Sequence, residues 1–338
     1  MVNKRPNIQD IAAHAQVARA TVSRVLNNDP HVSAKSRERV LQAIEALNYR
    51  PSFSAKYMRT KRSHTIGFIT DHIATTPFAG DILKGAQDAA WAHGVVLLVV
   101  NTGRKPEVET AAIEIMLERD VEGIIYAAMY HREVALPANM RNVPCVLLDC
   151  FSRDRSVSSV VPDEVGGAYT AIEVFLKKGH RRIAFINIDP SIATIASEKR
   201  LQGYRQALAA YNVALDETLV SYGNAQADSG YTHTMTLMQS PELPSAIFCG
   251  NDRMAMGCYM AVQEMGLKIP RDVAVIGFDN QRIIARYLRP PLSTMSLPHY
   301  EMGQWAIEQL RREIAAETNH TTPVQHQLAC QFVERESV

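Results

Sequence analysis

The sequence has few cysteines and no long apolar run. Uninterrupted apolar stretches such as Val95 to Val100 are far shorter than the roughly 20 residues that a membrane-spanning helix needs. No apolar segment follows Lys4 and Arg5, so no signal peptide is predicted and we expect a cytoplasmic protein. Five cysteines without a C-x-x-C pair indicate buried free thiols rather than disulfides or a zinc site. They are Cys145, Cys150, Cys249, Cys258 and Cys330.

The sequence also lacks the short motifs on which common enzyme chemistry depends. It contains no G-x-G-x-x-G, G-x-x-x-x-G-K-[ST], G-x-S-x-G or H-E-x-x-H, which argues against dinucleotide, phosphate-loop, acyl-transfer and zinc enzymes. The histidines are scattered, and His72, His180 and His299 have no partnered nucleophile or metal cluster nearby in the sequence. These three are therefore better interpreted as surface or binding-site residues than as general bases. We expect no catalytic residue, no metal site and no cofactor.

The whole chain is almost neutral, but its charge is unevenly distributed along the sequence. The 338 residues carry 36 Lys and Arg against 35 Asp and Glu, a net charge of +1. Residues 1–62 hold twelve basic and four acidic residues, so this N-terminal segment carries +8 and the remainder carries −7. At about 150 residues per domain, the length predicts two or three units. A basic head indicates a polyanionic partner, whereas a large acidic body indicates a separate task.

Three short helices are predicted in the basic head. Apolar residues at helical spacing mark the first two, and a third runs from an N-cap at Ser33 to Asn48, shortly before Pro51. The first two helices, with a tight turn between them, form a helix-turn-helix. A generic protein-binding three-helix unit is the alternative. The apolar positions are Ile8, Ile11, Ala12 and Ala15, then Val22, Val25 and Leu26, then Val40, Ile44 and Leu47.

From Ser63 onward, short β-rich apolar runs alternate with helical stretches, and the pattern occurs twice. It is typical of successive βαβ units, so we predict two doubly wound α/β lobes that bind ligands at the carboxyl ends of their strands. The predicted strands are 66–70, 95–100, 123–127 and 145–149, then 183–188, 219–222, 246–249 and 273–277. The predicted helices are 78–93 and 107–119, then 164–178, 199–211, 230–239 and 253–265.

The head contains the string Arg19-Ala20-Thr21-Val22-Ser23-Arg24-Val25-Leu26-Asn27, followed by Val32-Ser33 and Leu47-Asn48-Tyr49-Arg50-Pro51. These motifs resemble the all-α helix-turn-helix head of the lactose/galactose repressor family of bacterial transcriptional regulators. The resemblance implies that the second helix lies in the major groove of an operator, where arginines can bond guanine. It implies base reading by Arg19, Ala20 and Arg24, and phosphate contacts by Thr21, Ser23 and Asn27.

Two residues of the head depart from the family pattern. Gln16 replaces the turn glycine that is common in the family. Ala18 replaces the usual N-cap serine, which should cost about 1 kcal/mol of stability. We expect the helix-turn-helix to form despite both changes.

Residues 51–62 resemble the hinge that in this family forms a helix on DNA and presses an apolar wedge into the minor groove. Met58 stands where a leucine is usual, and Lys56 and Arg59 are suited to phosphate contacts. A plain basic linker is the alternative. With residues 1–50 as the head, the resemblance implies a homodimer on a near-palindromic double-stranded operator. Because the last predicted strand, 325–333, lies close to the end of the sequence, we expect no tetramer-forming tail.

The body, residues 63–338, carries further motifs of the same family, including Gly179-His180-Arg181-Arg182-Ile183, Gly250-Asn251-Asp252 and Gly277-Phe278-Asp279-Asn280. The resemblance implies a two-lobed α/β fold similar to periplasmic sugar-binding proteins. The chain would cross between lobes near 161–163, 290–293 and 321–324. The first lobe would comprise about 63–162 and 294–322, and the second about 163–292 and 323–338.

The resemblance also implies effector contacts in the cleft between the lobes. It assigns them to Pro77, Phe78, Asp149, Arg200, Asn251 and Asp279. These residues lie at predicted strand ends and helix starts, where charged and amide groups can bond sugar hydroxyls. Alternatively, Arg200 and Asp279 merely tie the lobes together, and Asn251 caps the helix that follows it.

Departures from the family pattern bear on the effector. Ala225 replaces an aromatic residue of many sugar-responsive members, which leaves room for a second sugar ring, and Leu297 replaces a glutamine. Strings such as Ala74-Thr75-Thr76-Pro77-Phe78 look like those of repressors of sucrose utilisation. We therefore expect a repressor of a sugar-utilisation operon, released from its operator by sucrose or another small disaccharide. A corepressor, a phosphorylated or nucleobase effector, and a cytoplasmic sugar-binding protein without operator function remain alternatives.

Overall fold

The structure, a computed structural model, describes residues 6–49, 62–76, 79–316 and 322–338. The chain divides into two compact units, one up to Ser63 and one from His64 onward. The first unit is the head and the second is the body. Within the described ranges, no helix is long and apolar enough to cross a membrane.

The head consists of the three predicted helices, α1 (Ile8–Ala15), α2 (Arg19–Leu26) and α3 (Ala34–Ala46). Asn7 begins α1 with a capping box, because its side chain accepts from the Asp10 amide and the Asp10 carboxylate accepts from the Asn7 amide. The Ser33 hydroxyl caps α3, as predicted, by accepting from the Ser36 amide. The apolar sides of the helices meet in a small core of Ile11, Ala12, Ala15, Val22, Val25, Val40, Ala43 and Tyr49.

The turn between α1 and α2 carries the two departures from the family pattern. Gln16 adopts left-handed backbone with a φ of 52°, a conformation that glycine accepts without strain. Arg39 of α3 supports this turn by donating to the side-chain oxygen of Gln16 over 3.1 Å. Ala18 precedes α2 and has no side-chain oxygen that could accept from the first helical turn. The predicted helix-turn-helix is confirmed despite both departures.

The body is built from two mainly parallel sheets flanked by helices. Its first part contains β1 (Thr65–Thr70), α4 (Gly80–Ala92), β2 (Val96–Asn101), α5 (Pro106–Glu118), β3 (Ile124–Glu133), β4 (Cys145–Phe151) and β5 (Ser158–Asp163). Its second part contains α6 (Glu164–Lys177), β6 (Ile183–Ile188), α7 (Pro190–Ala210), β7 (Val220–Gly223), α8 (Ala227–Leu237), β8 (Ala246–Cys249), α9 (Asp252–Glu264), β9 (Ala274–Asp279) and α10 (Arg282–Ala285). The last part contains β10 (Ser293–Ser296), α11 (His299–Ala315), β11 (Gln325–Ala329) and β12 (Gln331–Val333).

Each sheet has six strands in the described part of the chain. The first has the order β11-β5-β4-β3-β1-β2, and the second has the order β12-β10-β9-β8-β6-β7. Neighbouring strands are parallel, apart from the antiparallel pair of β10 and β12. Helices return the chain between most parallel strands, so the carboxyl ends of these strands share one edge of each sheet. The prediction of a two-lobed α/β body is confirmed.

The predicted crossing at 290–293 is wrong. Strand β10 belongs to the second sheet, where Thr294 pairs with Gly277 of β9. The reason is a buried bond, 2.6 Å long, from the Thr294 hydroxyl to the Asp252 carboxylate at the start of α9. The chain leaves the second sheet only after Ser296, and α11 then packs against α4.

The predicted crossing at 321–324 is wrong as well. Strand β11 joins the first sheet beside β5, where Gln327 pairs with Val161, and β12 then returns to the second sheet beside β10. Cys330 lies between the two strands, so the crossing occurs there. The predicted lobe segments 294–322 and 323–338 are corrected accordingly. The second sheet includes 293–296 and 331–333, and the first includes 325–329.

Apolar clusters cover both faces of each sheet. In the second lobe, Phe185 stacks on Phe248 with ring centroids 4.7 Å apart, and Phe278 extends the same cluster. In the first lobe, α4 and α11 bury Ile82 and Ile307 against the sheet. All five cysteines are buried, as predicted, and lie as free thiols in these clusters.

Candidate functional site

The head presents its predicted DNA-contacting side chains on α2 and on Asn27, the residue that ends this helix. Val22 and Val25 of that helix are buried against α1 and α3, so the helical period turns the residues between them to the surface. Thr21 is half-buried and the other members of the set are exposed. The six residues are Arg19, Ala20, Thr21, Ser23, Arg24 and Asn27.

Arg24 is held only loosely within the head. Its guanidinium lies 4.0 Å from Asp29, and its side chain is 65% exposed. Asp29 accepts from the amide and from the ring of His31, at 2.9 and 3.0 Å, which lowers the pKa of the Asp29 carboxyl. Because exposed ion pairs at such distances are weak, Arg24 can exchange Asp29 for another acceptor. The predicted hinge contacts Lys56, Met58 and Arg59 lie outside the described residues.

A cavity lies where the strand ends of the two sheets of the body face each other. The cavity is narrow, with room of about 20 Å³ for the centre of a water-sized sphere, and it is partly open to solvent. The structure brings four of the six predicted effector contacts to this cavity, namely Asp149, Arg200, Asn251 and Asp279. Pro77 and Phe78 lie outside the described residues. The cavity is also lined by Met129, Tyr130, His131, Pro162, Glu164, Ile188, Ala196, Leu297 and His299.

Arg200 of α7 makes an extensive set of bonds beside the cavity. Its guanidinium donates to both carboxylate oxygens of Glu164, at 2.6 and 3.2 Å, and to the Gly250 carbonyl. The ring of Phe278 packs against it, with the guanidinium carbon 3.8 Å from the ring centroid. All of these partners belong to the second lobe, so Arg200 braces that lobe rather than tying the two lobes together. Three of its five N–H groups make the bonds described, which leaves two for a ligand.

Asp279 ends β9 next to Arg200. Its Oδ1 lies 3.9 Å from the guanidinium, and its Oδ2 accepts from the Gln281 side chain over 2.9 Å. Burial raises the pKa of Asp279 to about 6, although Arg200 acts in the opposite direction. Asp279 is therefore a polar group at the cavity whose charge is only partly compensated.

Asn251 both caps a helix and lines the cavity. Its Oδ1 accepts from the Met254 amide over 2.8 Å, so it caps α9 as the alternative interpretation holds. Its Nδ2 donates to the Ala225 carbonyl over 3.1 Å. One N–H of Nδ2 and one lone pair of Oδ1 are left for a ligand.

Asp149 lies near the end of β4, on the first lobe. Its side chain is buried, and its Oδ1 has no hydrogen-bond partner among the residues described. Burial raises the pKa of Asp149 well above its usual range, and the nearby Glu164 raises it further. A buried polar atom without a partner costs free energy, and a ligand that donates a hydrogen bond to it removes that cost.

Left-handed backbone recurs at the cavity. Tyr130, Asp149 and Asp279 have φ values of 67°, 56° and 104°. Such conformations cost roughly 1–3 kcal/mol each in residues other than glycine, and they are concentrated at functional sites. The backbone at these strand ends therefore sacrifices local stability and positions the cavity residues.

Sequence analysis missed Glu164 and His131 as cavity residues. Glu164 is the first residue of α6 and directly follows the predicted crossing at 161–163, which was the available signal for a residue between the lobes. His131 lies beyond the predicted strand 123–127, which the structure extends to Glu133 as β3. Its signal was a histidine within a mainly apolar stretch, which is weak on its own.

The cavity suits a ligand with hydroxyl groups. Three carboxyl groups, those of Asp149, Glu164 and Asp279, line the cavity together with the guanidinium of Arg200. Carboxyl oxygens accept hydrogen bonds from the hydroxyl groups of a ligand, and the guanidinium donates hydrogen bonds to such hydroxyl groups. In the described ranges, no group of three or more His, Cys, Asp and Glu side chains is placed to hold a metal ion.

Comparison with known proteins connects both units to one group. The family model for bacterial regulatory proteins of the lacI family matches residues 7–52, and the model for a periplasmic binding protein-like domain matches residues 172–338. The ribose operon repressor of Haemophilus influenzae is 30% identical over 309 residues, 91% of each chain. The transcriptional repressor PurR of Photorhabdus laumondii is 30% identical over 98% of this chain and 96% of its own. The structure of a lac repressor dimer bound to operator and the anti-inducer ONPF is 27% identical, with a TM-score of 0.81 over 99% of each chain.

These matches extend over nearly the whole chain and confirm that it is a regulator rather than an enzyme. Its partners are operator DNA, bound as a homodimer, and a small-molecule effector. The relatives do not point specifically to sucrose. The chain belongs to the lacI family of bacterial regulatory proteins and is a DNA-binding transcriptional repressor controlled by a small molecule.

Proposed function

We propose that the effector is a neutral sugar, with sucrose or another small disaccharide as the first candidates, and that its binding releases the operator. The observation that carries the proposal is the buried Asp149 Oδ1, which has no partner in the described part of the chain. A sugar hydroxyl is a donor of the kind that such an oxygen needs. The remaining N–H groups of Arg200 and Asn251 supply donors for other hydroxyls across the cavity.

The electrostatics of the cavity also favour a neutral ligand. Burial raises the pKa values of Asp149 and Asp279, so the cavity disfavours negative charge even on its own carboxyl groups. Arg200, which could neutralise an anion, is already bonded to Glu164. A phosphorylated effector would therefore add negative charge where little is available to balance it.

On the DNA side, we propose that α2 reads the operator. The exposure of its polar face supports this assignment, and the arginines on that face can bond guanine in the major groove. Base reading is assigned to Arg19, Ala20 and Arg24, phosphate contacts to Thr21, Ser23 and Asn27, and hinge contacts to Lys56, Met58 and Arg59.

Effector binding would act on the operator through the two lobes. A sugar bonded to Asp149 on the first lobe and to Arg200 and Asp279 on the second favours a closed arrangement of the body. In a dimer, closure would move the two hinge segments apart, so that they no longer reach the operator centre together. The coupling is limited by the difference in ligand affinity between the two states, typically about 1–3 kcal/mol.

The test begins with an operator selected from a random DNA library by the purified protein. Fluorescence anisotropy then measures operator affinity without ligand and with sucrose, maltose, lactose, ribose, glucose 6-phosphate or hypoxanthine. We expect a neutral sugar to lower operator affinity about 5- to 150-fold. A response to glucose 6-phosphate or hypoxanthine alone, or a ligand that tightens operator binding, would contradict the proposal.

The same assay tests the DNA-reading helix. Arg24→Ala should weaken operator binding by about 1–3 kcal/mol and relax the preference at one symmetric base pair. Arg119→Ala is the matched control, because it removes the same charge from an exposed position on the body. Equal affinity and specificity in both variants would remove Arg24 from base reading.

A further inference from the structure

Strand β3 carries a bulge opposite Asp149. Ala127 of β3 pairs with Leu148 of β4, and the next pair is Arg132 with Cys150, so β3 advances five residues while β4 advances two. Three extra residues of β3 are therefore accommodated beside a single residue of β4. Bulges of this kind redirect side chains and are frequent next to binding sites. The bulge comprises residues 128–131, of which Met129, Tyr130 and His131 line the cavity.

An ion-pair network holds the bulge in place. The buried Asp71, which follows β1, accepts from Arg104 at 3.0 Å and from Arg132 at 3.1 Å through its Oδ2. Its Oδ1 accepts from the backbone amide of Met129 over 2.8 Å. A buried carboxylate with several donors fixes the groups around it, since breaking any one bond leaves a buried charge poorly paired. The bulge is therefore a supported element of the first lobe.

His131 is the polar side chain at the end of the bulge. It is 3% exposed and packs edge-on against Phe151, with ring centroids 5.6 Å apart. Its Nδ1 is buried and has no hydrogen-bond partner within the described ranges. Burial, together with the positive charges of Lys199 and Arg155, lowers the pKa of His131 to about 3. The imidazole is therefore neutral at pH 7 and offers one donor nitrogen and one acceptor nitrogen.

Two buried polar groups thus lie at the first-lobe wall of the cavity with hydrogen-bonding capacity to spare, Asp149 and His131. Leaving both without partners is costly, so a ligand that pairs with both gains more than one that pairs with neither. A carboxyl oxygen accepts, and a neutral imidazole can either accept or donate. A hydroxyl matches both groups, because it can donate to an unprotonated carboxyl oxygen or accept from a protonated one, and it can pair with either nitrogen of the neutral imidazole.

We propose that His131 is a specificity-determining residue for the effector, and that it binds, together with Asp149, one hydroxyl or two neighbouring hydroxyls of a neutral sugar. This inference rests on the proposed function, since it requires the cavity to take a sugar. The bulge sets the position of His131 relative to Asp149, and so determines which hydroxyl of the ligand can be bonded. The first lobe thereby selects among sugars by the position of their hydroxyl groups.

Isothermal titration calorimetry of the intact protein tests this assignment. The probes are sucrose, maltose, lactose and ribose, with monodeoxy derivatives of whichever of these binds the parent protein. His131→Phe keeps a ring against Phe151 but removes both nitrogens, and His131→Asn keeps a polar atom near the position of Nδ1. Ser221→Ala is the control, because the Ser221 hydroxyl is also buried without a partner in the described chain but does not line the cavity.

We expect His131→Phe to weaken binding of the intact sugar about tenfold, and His131→Asn to recover part of that loss. One monodeoxy derivative should bind the parent protein about tenfold more weakly than the intact sugar does. Its affinity for the His131→Phe variant should be no lower than its affinity for the parent, which identifies the hydroxyl that His131 binds. Ser221→Ala should bind like the parent. The assignment is overturned if His131→Phe binds the intact sugar like the parent, or loses the same factor for every derivative. A parent protein that binds none of the four sugars overturns the proposed function and this inference together.

A measurement on the parent protein does not depend on how the variants fold. With ¹⁵N-labelled histidine, the side-chain nitrogen signals of His131, assigned by their loss in His131→Asn or by distance to the Phe151 ring, report hydrogen bonding directly. Saturating sugar should shift at least one of them and leave the signals of His180, which is bonded to Ser245, in place. Unchanged His131 signals in the presence of a bound sugar would overturn the assignment.

Discussion

The two walls of the cavity are built in different ways. On the second-lobe wall, Arg200 is bonded to Glu164 and Asn251 caps α9, so these groups have partners without any ligand. On the first-lobe wall, Asp149 and His131 are equally buried, but each has a polar atom without a partner in the described chain. Arg200 and Asn251 are therefore held by partners in the free protein, whereas Asp149 and His131 each have a buried atom that a ligand can pair. The first pair of residues gives the cavity its shape, and the second pair gives it chemical selectivity.

Arg200→Ala disrupts the second-lobe wall and should have the largest effect on stability. It leaves Glu164 buried without its partner, so the free energy of unfolding should fall by about 3–5 kcal/mol. Urea denaturation followed by circular dichroism measures the loss. Arg205→Ala is the matched control on the same helix, because Arg205 pairs with Glu217 at the exposed surface and its removal should change stability by less than about 0.5 kcal/mol. Similar losses in the two variants would contradict a structural role of the Arg200 pair.

Asp279 gives the second-lobe wall a pH dependence. Burial raises its pKa from 3.8 to about 6, so between these values the folded protein holds a proton that the unfolded chain releases. Its contribution to stability is therefore full below about pH 4 and is lost as the pH rises through 6. The shift corresponds to at most about 3 kcal/mol. Asp279→Asn removes this contribution, so the stability advantage of the parent over the variant should fall by up to that amount between pH 4 and pH 7 in urea titrations. A difference that does not vary with pH would show that Asp279 remains ionised throughout.

Of the three cavity variants, Asp149→Asn should change the stability of the free protein least, so it tests whether the two walls differ. Asp149 Oδ1 has no partner to lose in the described chain, and burial already favours the uncharged form of the carboxyl. We expect the free energy of unfolding to change by less than about 1 kcal/mol, and sugar affinity to fall by a factor of about ten or less. Denaturation and calorimetry on the same preparation separate the two effects. A loss of stability as large as that of Arg200→Ala would mean that both walls are structural.

Much of the fold could be predicted because its signals are local. The apolar runs at 183–188 and 246–249 coincide with β6 and β8, and Ser33 caps α3 as its position before a helical pattern indicates. Which sheet a short strand joins is not a local property. The Thr294 hydroxyl places β10 in the second lobe by bonding Asp252, a residue 42 positions away, and no pattern around β10 encodes that contact.

The cavity residues divide in the same way. Asp149, Arg200, Asn251 and Asp279 could be placed at the cavity from the sequence because the resemblance to the family implies effector contacts at these positions. His131 could not, because it reaches the cavity through a change of register between β3 and β4, which depends on the pairing of two strands. The role of Glu164 became evident only from its two bonds to Arg200, 36 residues further along the chain.

The order of the strands also has a consequence for how the protein is made. The first lobe has five of its strands by residue 163, but its edge strand β11 comes from 325–329 and its covering helix α11 from 299–315. At roughly 5–20 residues per second, a ribosome needs about 8–33 s to translate the 166 residues from 164 to 329. During that interval the emerging lobe has an unpaired sheet edge and exposes the apolar surface that α11 later covers. We expect the nascent chain to depend on chaperones that bind apolar surface until the final residues leave the ribosome.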